Sequence, residues 1–136
     1  MKRRKIIIGI SVTTVILLVT FFIVKKDFYA KFYNKTGHVI DSLVIGTTYF
    51  GHLSIDDSTY YIRFRKFLFD GSEPYEKLSG ILQNKHLHQL YWSWCGTDRK
   101  FISKGSYIFD IKTGVDDKGI LCLYLVKHNG RIFSWQ

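Results

Sequence analysis

The sequence predicts a mainly β protein: an N-terminal transmembrane helix, then one antiparallel β-sandwich or open-barrel domain of about seven strands, with one short helix as an option. Three observations predict this class. Residues 6–24 form an apolar run without a charge, long enough to cross a bilayer as a helix. Several later segments alternate apolar and polar residues with a period of two, as half-buried strands do. Asn129-Gly130 is a strong signal for a tight hairpin turn.

The apolar run 6–24 is explained best as an uncleaved membrane anchor. As a helix it would rise about 28 Å, close to the thickness of the hydrocarbon core. A cleaved signal peptide is the alternative, but its apolar core is shorter and ends in a small-x-small site. Here the run ends at Lys25-Lys26, and Ala30 has Phe28 two positions before it. The lipid bilayer is therefore the first predicted partner, through residues 6–24.

The charges on either side of the run predict its orientation. Residues 1–5 form a short basic tail, whereas a long C-terminal domain is translocated largely regardless of its charge. We expect a cytoplasmic tail and an extracytoplasmic domain, periplasmic if the source is bacterial. The tail supplies four of the nine net positive charges. Basic residues next to the span, beside anionic lipid headgroups, explain the remaining excess more economically than a nucleic-acid partner does.

Residues 25–35 form an aromatic and basic segment between the anchor and the domain, which we place at 36–136. Aromatic and lysine side chains beside a span commonly lie at the level of the lipid headgroups. The predicted membrane-interface residues are Lys25, Lys26, Phe28 and Tyr29. The segment could equally be the first strand of the domain, with the anchor leading into it. Asn34-Lys35-Thr36 also fits the N-glycosylation pattern.

Within the domain, strand signals alternate with clusters of Gly, Asp, Asn and Ser, which favour turns. The predicted strands are His38–Ile45, Tyr49–Ile55, Thr59–Phe69, Leu90–Cys95, Ser106–Val115, Ile120–Lys127 and Arg131–Trp135. The last three, joined by short turns, predict a meander. Residues 75–89 allow a short helix or an irregular strand pair, because their leucines recur at helical spacing while Gly80 weakens a helix.

Two segments carry a predicted binding surface. In Thr59–Phe69 aromatic residues alternate with arginines, which predicts one strand with a dry and a wet basic face. The same pattern resembles a surface for single-stranded nucleic acid. We predict no nucleic-acid partner, because an extracytoplasmic domain would not meet one. In Leu90–Cys95 exposed rings could stack on a sugar or peptide, and core packing is the alternative. The candidate surface residues are Arg63, Arg65, Tyr91, Trp92 and Trp94.

Two cysteines, Cys95 and Cys122, could form a disulfide between two strands if the domain lies outside the cytoplasm. The alternative is a pair of reduced core thiols. Cys122 lies among leucines and Cys95 beside tryptophan, so burial alone would explain both.

No other motif predicts chemistry. His86 and His88 have the spacing of metal ligands on a strand, but their polar neighbours favour an exposed segment. Asp70, Glu73 and Glu76 share one predicted loop, where carboxylates are usually solvated. The chain has no Gly-rich phosphate loop and no G-x-S-x-G motif. We therefore predict no cofactor, no metal and no catalytic residue.

The combination of an anchor, an aromatic-rich domain and no catalytic motif predicts a single-pass, noncatalytic protein of the cell envelope that binds a protein or another envelope component. One alternative is a bacterial immunity-type protein that neutralises a toxin in the periplasm. A second is a small envelope enzyme. No motif in the chain identifies a family.

Overall fold

The computed structural model describes residues 13–20, 27–92 and 98–128. This part of the chain contains one short helix, α1 (residues 13–20), and eleven strands in three sheets, which confirms the mainly β prediction. The strands are β1 Phe28–Asn34, β2 Ile40–Ile45, β3 Thr48–Leu53, β4 Ile62–Phe64, β5 Phe67–Asp70, β6 Glu73–Pro74, β7 Leu78–Leu82, β8 Lys85–His88, β9 Arg99–Ile102, β10 Gly105–Val115 and β11 Leu121–Lys127. There are more than the predicted seven because several are only two to four residues long.

All eight residues of α1 are exposed, including five consecutive apolar ones, Val15 to Val19. The hydroxyl of Thr20 donates to the carbonyl oxygens of Ile16 (2.7 Å) and Leu17 (3.0 Å), so this polar group is satisfied within the helix. Among the described residues, no helix is long and apolar enough to cross a membrane. The predicted span extends on both sides of α1 into residues outside the description, and it stays a prediction.

The first sheet has the strand order β11-β10-β1-β4. The hairpin of β10 and β11 is antiparallel, as predicted. However, β1 pairs with β10 in parallel, from Phe28 opposite Gly105 to Asn34 opposite Ile111, so the sheet is not purely antiparallel. The predicted last strand, Arg131–Trp135, lies outside the described residues.

The second sheet has the order β3-β2-β7-β8 and is antiparallel. Residues 75–89 contribute the pair β7–β8, so the strand alternative is confirmed and the helix alternative is wrong. Gln83 and Asn84 both have positive φ, 49° and 62°, which allows a tight turn between the strands. The sequence Leu78–Leu82 then buries every second residue.

The prediction of one continuous strand over Thr59–Phe69 is wrong. The chain bends at Arg65-Lys66, which separates β4 in the first sheet from β5 in the third, of order β6-β5-β9. The bend changes the alternation, and so Phe64, Phe67 and Phe69 are all buried, whereas Tyr60 is 89% exposed. The predicted loop after β5 is a tight hairpin, with Asp70 paired to Glu73.

The three sheets share one aromatic core, and Phe28 lies at its centre. Its ring stacks on those of Phe67 (centroids 4.9 Å apart) and Tyr107 (4.7 Å). Phe28 is fully buried, which corrects its assignment to the membrane interface, while Tyr29 beside it is partly exposed. The domain therefore begins at Phe28 rather than at residue 36, because β1 is an inner strand of the first sheet.

Gly80 on β7 marks the closest approach in this core. A Cβ atom there would lie 2.7 Å from Cγ2 of Ile40 and 3.6 Å from Cδ1 of Leu123, which belongs to the first sheet. Only a residue without a side chain lets the backbone come this close.

The direction of β1 defines two ends of the domain. The end where β1 begins, at Asp27-Phe28, we call the entry end, because the chain arrives there from the predicted anchor. The end where β1 stops, at Asn34, we call the far end. The Asn34 side chain is fully buried and bonds to His38, Leu53, Ser54 and Thr36. An asparagine held in this way has no room for a glycan in the folded domain.

Candidate functional site

A groove of about 270 Å³ opens at the entry end. The β2–β3 turn forms one wall and the bend between β4 and β5 forms the other, with β9 beside it. The lining residues are Gly46, Thr47, Thr48, Arg63, Phe64, Arg65, Lys66, Glu76 and Phe101. The groove thus contains both arginines of the predicted binding surface.

Positive charge dominates the rim of this groove. Arg63 forms an ion pair with Asp27, with Nη2 2.8 Å from Oδ1, and its side chain is still 63% exposed. Arg65 and Lys66 are exposed on the bend. The ammonium of Lys66 lies 4.1 Å from the ring centroid of Phe101, a cation–π contact that holds the charge beside an exposed ring.

Glu76 is the one carboxylate among the lining residues, and both of its oxygens accept hydrogen bonds from backbone N–H groups. Oε2 accepts from the Leu68 N–H at 2.8 Å and Oε1 from the Lys77 N–H at 3.3 Å. A Cβ on Gly46, which has a φ of 62°, would lie 3.4 Å from Oε1. Glu76 therefore braces the loops that shape the groove, a role that competes with acid–base chemistry.

The aromatic half of the predicted surface lies elsewhere. Trp92 packs edge-on against Tyr75, with ring centroids 4.5 Å apart, and its carbonyl oxygen accepts from the Tyr75 hydroxyl at 3.3 Å. The guanidinium of Arg99 lies over the same tyrosine ring, 4.6 Å from its centroid. Tyr91 is 67% exposed, and Trp94 lies outside the described residues. Neither Tyr91 nor Trp92 is among the residues that line the groove.

The three carboxylates of the predicted loop do not converge. Glu76 is in the groove, and Glu73 is exposed, accepting from the Ser72 hydroxyl at 3.2 Å. The Asp70 side chain is only 7% exposed, and its Oδ2 atom has no hydrogen-bond donor among the described residues. Arg99 Nε is 3.8 Å from that oxygen, so the carboxylate is compensated by charge rather than by a hydrogen bond.

A polar relay that sequence reasoning missed lies on β2 and β3. Oδ1 of Asp41 is 2.7 Å from Nδ1 of His52, and Nε2 of that ring is 3.4 Å from the Ser54 hydroxyl. The order of groups is that of a hydrolase triad, but the Asp41 and His52 side chains are about 60% exposed. Asp41 and His52 lie in two consecutive predicted strands. Antiparallel pairing of those strands would bring the two side chains together, and this was the signal that could have identified them.

A second histidine–carboxylate pair joins β10 to the end of β11. Nδ1 of His128 lies 2.6 Å from Oδ1 of Asp110, and the imidazole stacks on the Tyr33 ring at 4.6 Å. Asp110 is only 4% exposed, although the alternation along the strand predicts that it lies on the face away from the buried Phe109. The pair explains how a carboxylate is accommodated there, since a buried charge needs a partner.

Cys122 is a buried thiol that donates to the Ile120 carbonyl oxygen at 3.4 Å. Burial, followed by the charge of Asp116, raises the pKa of the Cys122 thiol. Cys95 lies outside the described residues, so the disulfide stays a prediction. His86 and His88 lie on β8 with exposed side chains, and the described residues contain no group of three metal-ligating side chains.

The far end carries an exposed apolar tip on the β10–β11 hairpin. Val115 is 63%, Ile120 57% and Leu121 42% exposed, and Val115 is opposite Leu121 in the ladder. These three residues form what we call the hairpin tip. Exposed apolar side chains that lie together are typical of contact surfaces.

Comparison of the chain with protein-family models, curated proteins and solved structures found no match.

Proposed function

We propose that the chain is a single-pass, membrane-anchored, noncatalytic protein that binds a protein or another envelope component outside the cytoplasm. The observation that carries the proposal is the course of β10. It runs parallel to β1 from the entry end and ends in the exposed hairpin tip. Ten residue steps of about 3.3 Å place the tip roughly 33 Å from the entry end. A partner would meet this tip first, away from the bilayer.

The anchor in this proposal is the helix of residues 6–24. Its support is the run of exposed apolar side chains on α1 and the absence of charge throughout the segment. A single helix with apolar side chains on all faces is stable in lipid, because its backbone satisfies its own hydrogen bonds. In the same proposal, the first and second sheets pack as a β-sandwich across Gly80.

Fractionation and a C-terminal reporter test the anchor and its orientation. We expect the full chain to stay with membranes after alkaline carbonate extraction. A phosphatase reporter is active only if it has been exported, so we expect activity when it is fused after Gln136. A chain found in the soluble fraction would contradict the anchor. An inactive phosphatase, together with activity from a reporter that works in the cytoplasm, would contradict the orientation.

Site-specific crosslinking tests the hairpin tip. A photoreactive residue at Ile120 should crosslink one defined partner in intact cells, whereas the same residue at Tyr60, which is more exposed, should not. Leu121→Asp should abolish the crosslink without changing the amount of protein in the membrane. Equal crosslinking at both positions would show that the tip is not a specific surface. If the partner is a toxin, the immunity-type alternative follows.

A second candidate, a small envelope hydrolase, is favoured only by the relay of Asp41, His52 and Ser54. In such an enzyme the Ser54 hydroxyl would act as nucleophile and His52 as its base. A fluorophosphonate probe tests this directly, because it labels activated serines. The preferred proposal predicts no labelling of the full chain in membranes. Labelling that is lost in Ser54→Ala and retained in Ser106→Ala would establish the hydrolase instead.

A further inference from the structure

We propose that the entry end of the domain binds the headgroups of anionic phospholipids in the membrane that anchors the chain, through Arg63, Arg65, Lys66 and Lys104. We call these four residues the basic collar. The inference rests on the proposed anchor and adds to it: the domain would lie against the bilayer with one end down, rather than move freely on a tether.

Strand directions place the collar where lipid is. In the pairing of β1 with β4, Phe28 is opposite Phe64, so Arg65 and Lys66 follow at the level where the chain arrives from the predicted anchor. In the pairing of β1 with β10, Phe28 is opposite Gly105, so Lys104 is at the same level. Two segments far apart in sequence thus bring cations to one end.

The groove at this end suits an anionic headgroup. Its volume of about 270 Å³ leaves space for a phosphate and its substituent, between the exposed guanidinium of Arg65 and the ammonium of Lys66. Arginine binds phosphate oxygens in a bidentate manner, and lysine acts as a point charge. The neighbouring carboxylate of Glu76 is engaged by two backbone N–H groups, and Asp27 by Arg63.

Phe101 adds the apolar part of a membrane contact. Its side chain is 56% exposed on β9 next to the groove, and Lys66 lies against its face. Aromatic rings next to lysines are typical of the interfacial level of a bilayer.

The far end has a different character. Its turns carry the carboxylates Asp56, Asp57, Asp116 and Asp117, and Lys35, Lys112 and Lys118 offset most of their charge. An anionic surface would therefore attract the entry end and would not attract the far end. Each cation near such a surface contributes about a fivefold preference for the docked state, so the collar could orient the domain at physiological salt.

Headgroup quenching in nanodiscs tests the inference on the full chain. A fluorophore is attached to Ser103→Cys, in the β9–β10 turn, or to Asp117→Cys at the far end, each in a Cys95→Ser/Cys122→Ser background. Nanodiscs contain phosphatidylcholine alone or with phosphatidylglycerol, plus a headgroup spin label as quencher. We expect strong quenching at Ser103→Cys only with phosphatidylglycerol, lost at high salt, and none at Asp117→Cys.

Charge reversal provides the matched comparison. Arg65→Glu/Lys66→Glu should reduce the docked-to-undocked ratio at least about tenfold, since two cations become repulsive. Lys112→Glu/Lys118→Glu, the same change in net charge on exposed residues of β10 and its turn, should leave the ratio unchanged. Equal quenching in both lipid mixtures, or no effect of the collar reversal, would overturn the inference. Failure of the chain to enter nanodiscs at all would instead refute the anchor.

Discussion

Asp27 and Arg63 form an ion pair of 2.8 Å that joins the residue before β1 to the wall of the groove. The carboxylate is 19% exposed and the guanidinium 63%. The Asp27 carbonyl oxygen also accepts from the Gly105 N–H at 3.1 Å, so the same residue contacts β10. One residue therefore fixes the arriving chain to both neighbours of β1.

Asp27→Asn separates the two roles of this residue. We expect the free energy of unfolding to fall by about 1 kcal/mol, because the Arg63 side of the ion pair is exposed to solvent and the backbone bond is kept. Docking to anionic nanodiscs should strengthen by about fivefold, because the collar gains a full positive charge. Urea unfolding in micelles and headgroup quenching measure the two effects. Asp56→Asn, which breaks the exposed pair with Lys35 at the far end, should not improve docking.

Gly80→Ala should destabilise the domain by about 1–3 kcal/mol, because the added methyl group would meet Ile40 at 2.7 Å in a closely packed core. Ile40→Ala alone should cost about 2–5 kcal/mol through the cavity it leaves. In the double variant the methyl group occupies part of that cavity. The combined cost, from urea unfolding of all four proteins, should therefore be less than the sum. Strict additivity would show that the two positions do not touch.

Asn34→Asp should cost at least about 3 kcal/mol at neutral pH, because an acceptor replaces the amide that faces the carbonyl oxygens of His38 (2.7 Å) and Leu53 (3.0 Å). Burial raises the pKa of such a carboxyl in the folded state, so the folded protein holds its proton more tightly. Stability should therefore be partly recovered towards pH 4 and lost as the pH rises. Unfolding at both pH values tests this, with Asn84→Asp, in an exposed turn, as the neutral control.

The Cys122 thiol should react slowly with iodoacetamide at pH 7.5 in a Cys95→Ser background, because it is 7% exposed and its pKa is raised above the ordinary value of 9.0. A raised pKa means that the folded state binds the proton more tightly. Its contribution to stability is thus complete below pH 9 and is lost as the pH rises through the folded-state value. Rapid alkylation of the native protein, at a rate near that of the urea-unfolded chain, would contradict the burial.

Local patterns in the chain predict its local structure well. Alternation located β10, because Phe109 and Ile111 lie at every second position, and a nearly continuous apolar run after a short turn located β11. The bend at Arg65-Lys66 was missed, because Lys66 falls on the apolar face of the alternation and looks like a single interruption of one strand. Only the packing of Phe67 against Phe28 reveals the change of sheet.

Long-range pairing is what sequence reasoning could not supply. The partner of β1 is β10, and nothing local to Phe28 indicates a parallel neighbour so far along the chain. The relay from Asp41 to Ser54 likewise depends on the pairing of β2 with β3, including its bulge near Ser42. The groove arginines were identified from their alternation alone, but the ion pair of Arg63 with Asp27 required the fold.

The parallel pairing of β1 with β10 also determines when the domain can complete its folding. Phe28 and its neighbour Gly105 are 77 positions apart, so the inner strand of the first sheet must wait for nearly all of the domain to be synthesised. Contacts this distant along the chain slow folding, because the intervening loop loses entropy before any contact compensates. Until then Phe28 lacks its contact with Tyr107, and Phe32 lacks its contact with Phe109. A chain truncated before β10 would lack the inner pairing of the first sheet and would be open to proteolysis.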